Sequence, residues 1–483
     1  MSRVSEEPET AQQSTQPSAQ EHNVEPQDIA VPAGYAEIMT RGWGDIALDL
    51  PVHPAAERLA QRRARLAEEF PGERLVLPAG GFKVRSYDTD YRFRPDTAHA
   101  YFCGNHTSDA VLVVEDGEST LYLRPRSGRD TAEFFRDRQY GELWVGRRPS
   151  LEEVAEQLQL RTRHIEQLPA DLERGPEKTR LLRDRDARLD GLVAPDPGQD
   201  GELERIASQL RIVKDDWELG ELAAACDATV LGFQDSVREW DRVLEYGERW
   251  LEGTFFRRAR TMGNDLGYDS IVAGGKHATV LHWIDNSGPV RPGELILLDM
   301  GVEGHHLYTA DVTRTLPVSG TFTPLQRELY GLVLAAQEAG IAAVRPGATF
   351  LAAHEAAMEV LAHGLADLGL LPCSAAEALD PASKVYARWT LHGTSHMLGM
   401  DVHDCGAAAV EVYPKGDLAE GMVLTVEPGL YFQAEDLLVP EELRGIGIRI
   451  EDDIVVTADG SRNLSAALPR DPDAIEAWMA DRR

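Results

Sequence analysis

A chain of 483 residues is too long for one typical domain, so two or three are expected, with room for a sizeable core. Asp and Glu outnumber Lys and Arg 81 to 49, a formal net charge of -32, and this excludes the clustered basic surface that nucleic-acid binding requires. No uninterrupted apolar run reaches the ~18 residues of a membrane span, no basic-then-apolar signal segment opens the chain, and Cys103, Cys226, Cys373 and Cys405 show no CxxC spacing, which together predict a soluble, cytoplasmic protein without membrane contact, thiolate zinc site or disulfide framework.

Residues 1–40 are rich in Glu, Gln, Ser, Thr and Pro, and they are expected to form a disordered tail. Residues 41–195 read as a small α/β domain. The helical segment "ERLAQRRARLAEEF" is followed by apolar runs at Arg74 to Leu77, Ala110 to Val114, Thr120 to Leu123 and Leu143 to Val145, with a helical stretch from Leu151 to Leu160. Its Arg-rich finish, Arg180 to Arg188, reads as a solvated helix face. The segment "APDPGQDG" at residues 194–201 concentrates Pro, Gly and Asp and marks the boundary of a second domain, residues 196–483. Helical patterns follow through Leu203 and Leu210, then from Leu219 to Val243, with Trp217, Leu222, Phe233 and Trp240 as core residues. Two more helices are expected at Pro324 to Val344 and Phe350 to Leu368, and strands dominate from Leu391 to Val456.

Between these helices lies the stretch that carries the chemistry, "ILLDMGVEGHHLYTADVTRT" from Ile296 to Thr315. It reads as two antiparallel strands joined by a hairpin. Leu295, Leu297 and Asp299 share one strand face, as do Asp311, Thr313 and Thr315, so pairing the strands brings two carboxylates together. Taken alone, the plainer reading is two acids facing water. A repeat argues otherwise. "GELILLDMG" has glycines six before and two after Asp299, and "GMVLTVEPG" has them six before and two after Glu427. Each is followed by a second acidic strand, with Asp311 in the first and Glu451 of "GIGIRIEDD" in the second, so two facing units would gather four carboxylates. Three histidines, His392, His396 and His403, fall in "HGTSHMLGMDVHD", whose glycines and serine disfavour a regular helix. One imidazole with four carboxylates is an oxygen-rich donor set suited to two divalent ions, Mn²⁺ first, with Co²⁺ or Zn²⁺ as alternatives.

The four segments "LDMGVEGHHLYTADVTRT", "HGTSHMLGMDVHD", "LTVEPGLY" and "GIGIRIEDD", in that order, closely resemble the metal-binding motifs of pita-bread-fold metallopeptidases, in particular the aminopeptidase P (Xaa-Pro aminopeptidase) family. The resemblance implies an α+β chain, with a C-terminal pita-bread (creatinase/aminopeptidase) fold preceded by a smaller α/β N-terminal domain. It implies Asp299, Asp311, His396, Glu427 and Glu451 as ligands of a dinuclear site, with Asp311 and Glu451 bridging, and hydrolysis of the N-terminal Xaa-Pro bond of peptides by a metal-activated hydroxide. It also gives His282, His392 and His403 places around the substrate and Arg449 a role in orienting the carboxylates, and it implies a homo-oligomer, dimer or tetramer. Ser395, before the ligand histidine, resembles aminopeptidase P more than prolidase, which stays as the alternative, with a noncatalytic peptide-binding module behind it. One departure is clear: "AHAYFCG" has His99 and Ala100 where the family usually has Phe and Trp, leaving Tyr101 and Phe102 as partial substitutes or core residues. His305 and His306, in the hairpin turn, read as facing solvent.

Overall fold

The computed structural model describes residues 32–44, 47–176 and 178–482. Most of the expected polar tail, residues 1–31, lies outside the described residues. The end of that stretch differs from the expectation: Ala33–Met39 is a short helix with no buried residue. Its Ala, Glu and Met favour helix once Pro32, at the N-cap, sets the entry.

Two compact units emerge, one of the described residues through Arg63 with Phe70–Pro195, the other of Ala64–Glu69 with Asp196–Arg483. The first unit is built on a five-stranded sheet in the order Arg161–His164, Glu118–Leu123, Val111–Glu115, Arg74–Pro78, Thr179–Leu181. Its two inner pairings are antiparallel and its outer pairings parallel. Two expectations fail here. Leu143 to Val145 is no strand but the end of a one-turn helix, Glu142–Val145, held between Gly141 and Gly146 with Trp144 half-exposed. Arg180, expected on a solvated helix, sits buried in the edge strand, because its guanidinium pairs with Glu73 and lies 4.4 Å from the Phe70 ring centre. His99, Ala100, Tyr101 and Phe102 are all buried in the helix Thr97–Cys103, so the two aromatics are core residues.

In the second unit, the segment expected to be a linker starts a helix, Pro197–Gln209. Asp196 caps it by accepting from the Gln199 amide at 3.1 Å, and Pro197 fits the first turn, where its missing N–H costs nothing. Helices Asp216–Arg238, Pro324–Ala343 and Ala352–Asp367 enclose the core with Phe233, Trp240, Leu298, Leu329 and Leu361. One antiparallel sheet runs Ile271–Gly274, Leu295–Met300, Val312–Pro317. A second runs Val423–Val426, Asp452–Thr457, Gly460–Asn463, and a two-stranded ribbon pairs Gly429–Phe432 with Ile446–Arg449. Residues 391–422, expected to be strand-rich, form bends and turns with isolated bridges such as Met397 to Leu424, as their Gly, Asp and Ser content favours. No helix among the described residues is long and apolar enough to cross a membrane.

Candidate metal centre

The hairpin forms with Asp299 opposite Thr313 and Met300 opposite Val312, so Asp311 lies one residue before its strand and diagonal to Asp299. Every residue of both strands is buried, which overturns the plainer reading of two solvent-facing acids. The repeat is also present in three dimensions: Gly293 and Gly421, each six residues before an acid, adopt left-handed φ of 90° and 86°. The second copy pairs differently from a simple hairpin. Val426 pairs with Asp452 in one ladder and Gly429 with Arg449 in the next, so Glu427 and Glu451 occupy the step between ladders. Their backbones are anchored there, with the Glu427 amide on the Thr394 carbonyl at 2.8 Å and the Glu451 amide on the Thr313 carbonyl at 3.1 Å. The second bond joins the two copies.

Asp311, His396 and Glu451 offer ligand atoms that all lie within 4.8 Å of one another. His396 Nε2 is 3.3 Å from Asp311 Oδ2 and 3.6 Å from Glu427 Oε1, which brings the fourth residue to the cluster. Asp299 closes the ring from the side, taking the Tyr268 hydroxyl at 2.7 Å on one oxygen and Arg449 Nη2 on the other. Four buried or nearly buried carboxylates thus face one guanidinium and one imidazole. The charge imbalance shows in their proton affinities. Burial, then Asp311, Glu427 and Asp299, pushes Glu451 well above the ordinary carboxylate range. Burial also raises Asp299, against Arg449, and takes Glu427 to about 7. His396 moves to about 9: burial opposes its charge, but the Asp311 bond and the Glu427 and Asp311 charges prevail. Asp311 is held low despite burial because His396 bonds to it. A crowded, oxygen-rich set short of positive charge is the environment a divalent cation completes, so these residues fit the group.

The flanking residues are equally defined. Arg449 reaches Thr313 Oγ1 at 3.2 Å and the Tyr431 oxygen at 3.1 Å besides Asp299, so its role is neutralising and orienting. Tyr431 OH donates to His392 Nε2 at 2.8 Å, and His392 Nδ1 donates to the Gly393 carbonyl at 2.8 Å. Burial, then Arg449, lowers His392 to about 4, which keeps it neutral. His403 stands edge-on to His396 with ring centres 4.4 Å apart, and it is lowered by desolvation, then by His396. His282 is exposed. Arg449, His392, His403 and His282 line one open cavity of about 530 Å³ with the four acids and the imidazole above, and its apolar wall includes Ile271, Leu281, Ile284 and Val402. Ser395 lines it too, with a buried, unpartnered hydroxyl. His305 is exposed as expected. His306 is not: it is half-buried, with Nδ1 2.9 Å from Glu221 and its ring 5.3 Å from Trp217, because the helix Asp216–Arg238 passes beside the turn. Sequence reasoning missed Tyr268 and Tyr431, and it placed Thr313 on a strand face with Asp311 without giving it a role. Tyr431 and Thr313 sit inside the quoted motifs.

A duplicated β unit that gathers four carboxylates and an imidazole on the floor of an open cavity defines a divalent-metal centre of the hydrolase kind. Residues 221–458 match metallopeptidase family M24, and residues 59–180 match the aminopeptidase P N-terminal domain. The chain is 53% identical over 482 residues to Xaa-Pro aminopeptidase 1 of Streptomyces coelicolor, covering 98% of this chain and 97% of that relative. It is 33% identical over 449 residues to Xaa-Pro aminopeptidase of Escherichia coli, covering 88% and 98%. Aminopeptidase P from E. coli, solved with the inhibitor Pro-Leu, superimposes with a TM-score of 0.78 at 30% identity, over 89% of this chain and 99% of that one. The chain belongs to the M24 metallopeptidase family, with the pita-bread α+β fold following a smaller N-terminal α/β domain. Members of that family bind divalent metal, and the donor set here agrees.

Proposed function

We propose that this chain is an aminopeptidase that hydrolyses the bond between an N-terminal residue and a following proline. The observation that carries the reading is the Asp311–His396–Glu451 cluster on the cavity floor, in a chain 53% identical to an Xaa-Pro aminopeptidase along nearly its whole length. Asp299, Asp311, His396, Glu427 and Glu451 would hold two divalent ions, Mn²⁺ in the first instance. Such ions lower the pKa of a water and polarise the scissile carbonyl. Proline explains the need for that chemistry: its nitrogen carries no N–H and its φ is fixed, so the bond before it does not suit sites that bind an extended backbone through that hydrogen.

The chain's own residues then bind and orient. Arg449 fixes Asp299 and, through Tyr431, the neutral His392. His403, kept neutral, offers an N–H to the oxyanion that forms at the carbonyl, and a preorganised donor of that kind contributes ~3 kcal/mol. His282 lines the same cavity and would contact the proline side of the substrate. No Ser or Cys nucleophile is required. The same reading places the protein in the cytoplasm as a homo-oligomer, with residues 41–195 as an N-terminal domain and 196–483 as the catalytic one.

The test is to strip metal with a chelator, restore Mn²⁺, and compare Xaa-Pro dipeptides with longer Xaa-Pro peptides. Restored cleavage of the longer peptides is expected. Cleavage of dipeptides alone would make the protein a prolidase, and no cleavage of either with metal bound would make it a binding module.

A further inference from the structure

Glu248, at the start of the helix Glu248–Met262, is completely buried, yet it touches none of the residues assigned to the metal centre. Its carboxylate is saturated by four donors. Oε1 accepts from the Gly274 amide at 2.8 Å and from His277 Nδ1 at 2.8 Å. Oε2 accepts from Trp283 Nε1 at 2.9 Å and from the Gly288 amide at 2.6 Å. The Glu248 amide in turn donates to the Gly288 carbonyl at 3.0 Å, so one residue grips both ends and the middle of the segment 274–288. His277 stacks on Trp283 with ring centres 3.9 Å apart, which stiffens the grip. Gly288 must be glycine for this approach: a Cβ there would lie 2.8 Å from Glu248 Oε1 and 2.4 Å from the His277 ring. The tip of the gripped segment carries Leu281, His282 and Ile284 into the cavity. His282, next in sequence to Trp283, lines the cavity together with His392 and His403.

We propose that Glu248 is a positioning residue that acts through Trp283 and the bound glycine amides to fix His282 against the substrate; this rests on the aminopeptidase reading above. A carboxylate is the side chain that can do it, because ionised Glu offers about four acceptor sites and no donor. Gln has nearly the same shape but carries an NH₂, which at either oxygen position would face a backbone N–H, that of Gly274 or Gly288, and lose that bond. Glu248→Gln should therefore loosen the segment while the helix it starts remains.

The experiment is a double-mutant cycle on kcat/KM for an Xaa-Pro peptide with the Mn²⁺-loaded full chain, comparing Glu248→Gln, His282→Ala and the double variant. Each single change is expected to lower kcat/KM by about tenfold or more, the double to fall no further than His282→Ala, and bound metal to stay unchanged. Glu248→Gln combined with Tyr431→Phe, whose hydroxyl bonds to Arg449 and His392 and to nothing in segment 274–288, should instead multiply. Should Glu248→Gln fail to fold, Trp283→Phe, which deletes one donor, takes its place in the same cycle. Losses that multiply with His282→Ala, or no loss from His282→Ala alone, would overturn the clamp and leave the aminopeptidase reading intact. An unaltered chain that cleaves no Xaa-Pro peptide would remove that reading and the clamp with it.

Discussion

Tyr431 joins two parts of the centre through a single oxygen, accepting from Arg449 Nη1 and donating to His392 Nε2. Tyr431→Phe keeps the ring and removes only that atom, so a buried guanidinium N–H and the imidazole nitrogen both lose a partner. Leaving one such buried group unsatisfied costs about 1–3 kcal/mol. The expected outcome is kcat/KM lowered about tenfold with bound metal unchanged, since the phenol makes no hydrogen bond to the five proposed ligands. Kinetics alongside metal analysis checks this, and a variant that lost metal would show that Tyr431 acts on Asp299 through Arg449 instead. Residues of this class differ in how readily a sequence displays them. Asp299, Asp311, Glu427 and Glu451 stand out because the glycine–strand–acid pattern occurs twice. Tyr268 does not: it is one tyrosine in "GYDSIV", and only folding brings its hydroxyl to an acid 31 residues away.

Elements were legible where local chemistry decides them and illegible where long-range contacts do. The helix Pro324–Ala343 announces itself with Thr323 as cap, Gln326 completing the capping box and Pro324 in the first turn. The same logic was available at Asp196 and Pro197, but a run of Pro, Gly and Asp serves linkers and helix starts alike. Arg180 was unreadable because its partner Glu73 lies 107 residues away. Another such long-range contact makes a testable pH sensor outside the metal centre. Asp436, between the ribbon strands Gly429–Phe432 and Ile446–Arg449, accepts from Arg388 through both oxygens at 2.9 and 2.8 Å, from Trp389 Nε1 at 3.1 Å and from the Leu438 amide at 2.9 Å. The Arg388 bonds above all hold its carboxyl down at about 2, against the usual value of about 3.9. A carboxyl lowered in the folded state stabilises above the unfolded value, and that contribution is lost as pH falls through the folded one. Asp436→Asn should lower the urea midpoint at pH 7 by a margin that persists to about pH 4 and closes towards pH 2, where the native residue is itself protonated. A gap of constant size would show that packing, not charge, is at stake.

For the whole molecule, the same linkage runs with the opposite sign at the cavity floor. Without metal, the folded chain keeps protons on Glu451 and on Glu427, the latter raised to about 7, that the unfolded chain releases near the ordinary value of about 4.3. Those raised carboxyls make the metal-free protein less stable as pH climbs. His396, raised to about 9, works in the same direction, since its contribution is full below about 6.5 and disappears as pH rises through 9. Asp311, lowered, has already given its share by pH 5, so every proposed ligand that still titrates between pH 5 and 8 pulls stability down, while the flanking His392 and His403, lowered in the folded chain, pull the other way below about pH 6.5 with or without metal. Divalent ions take the place of those protons and leave the carboxylates ionised but neutralised, so the metal-loaded chain escapes the decline and metal affinity itself rises with pH. At about a hundredfold excess over Kd, such binding adds roughly 2.7 kcal/mol. Thermal unfolding followed in Mn²⁺ and in chelator should therefore show a difference in Tm that widens steadily from pH 5 to pH 8. A difference that stayed flat or narrowed would mean that the cluster's protons are not what the metal replaces, and that the ions are held by some subset of these residues whose charges are already paired within the protein.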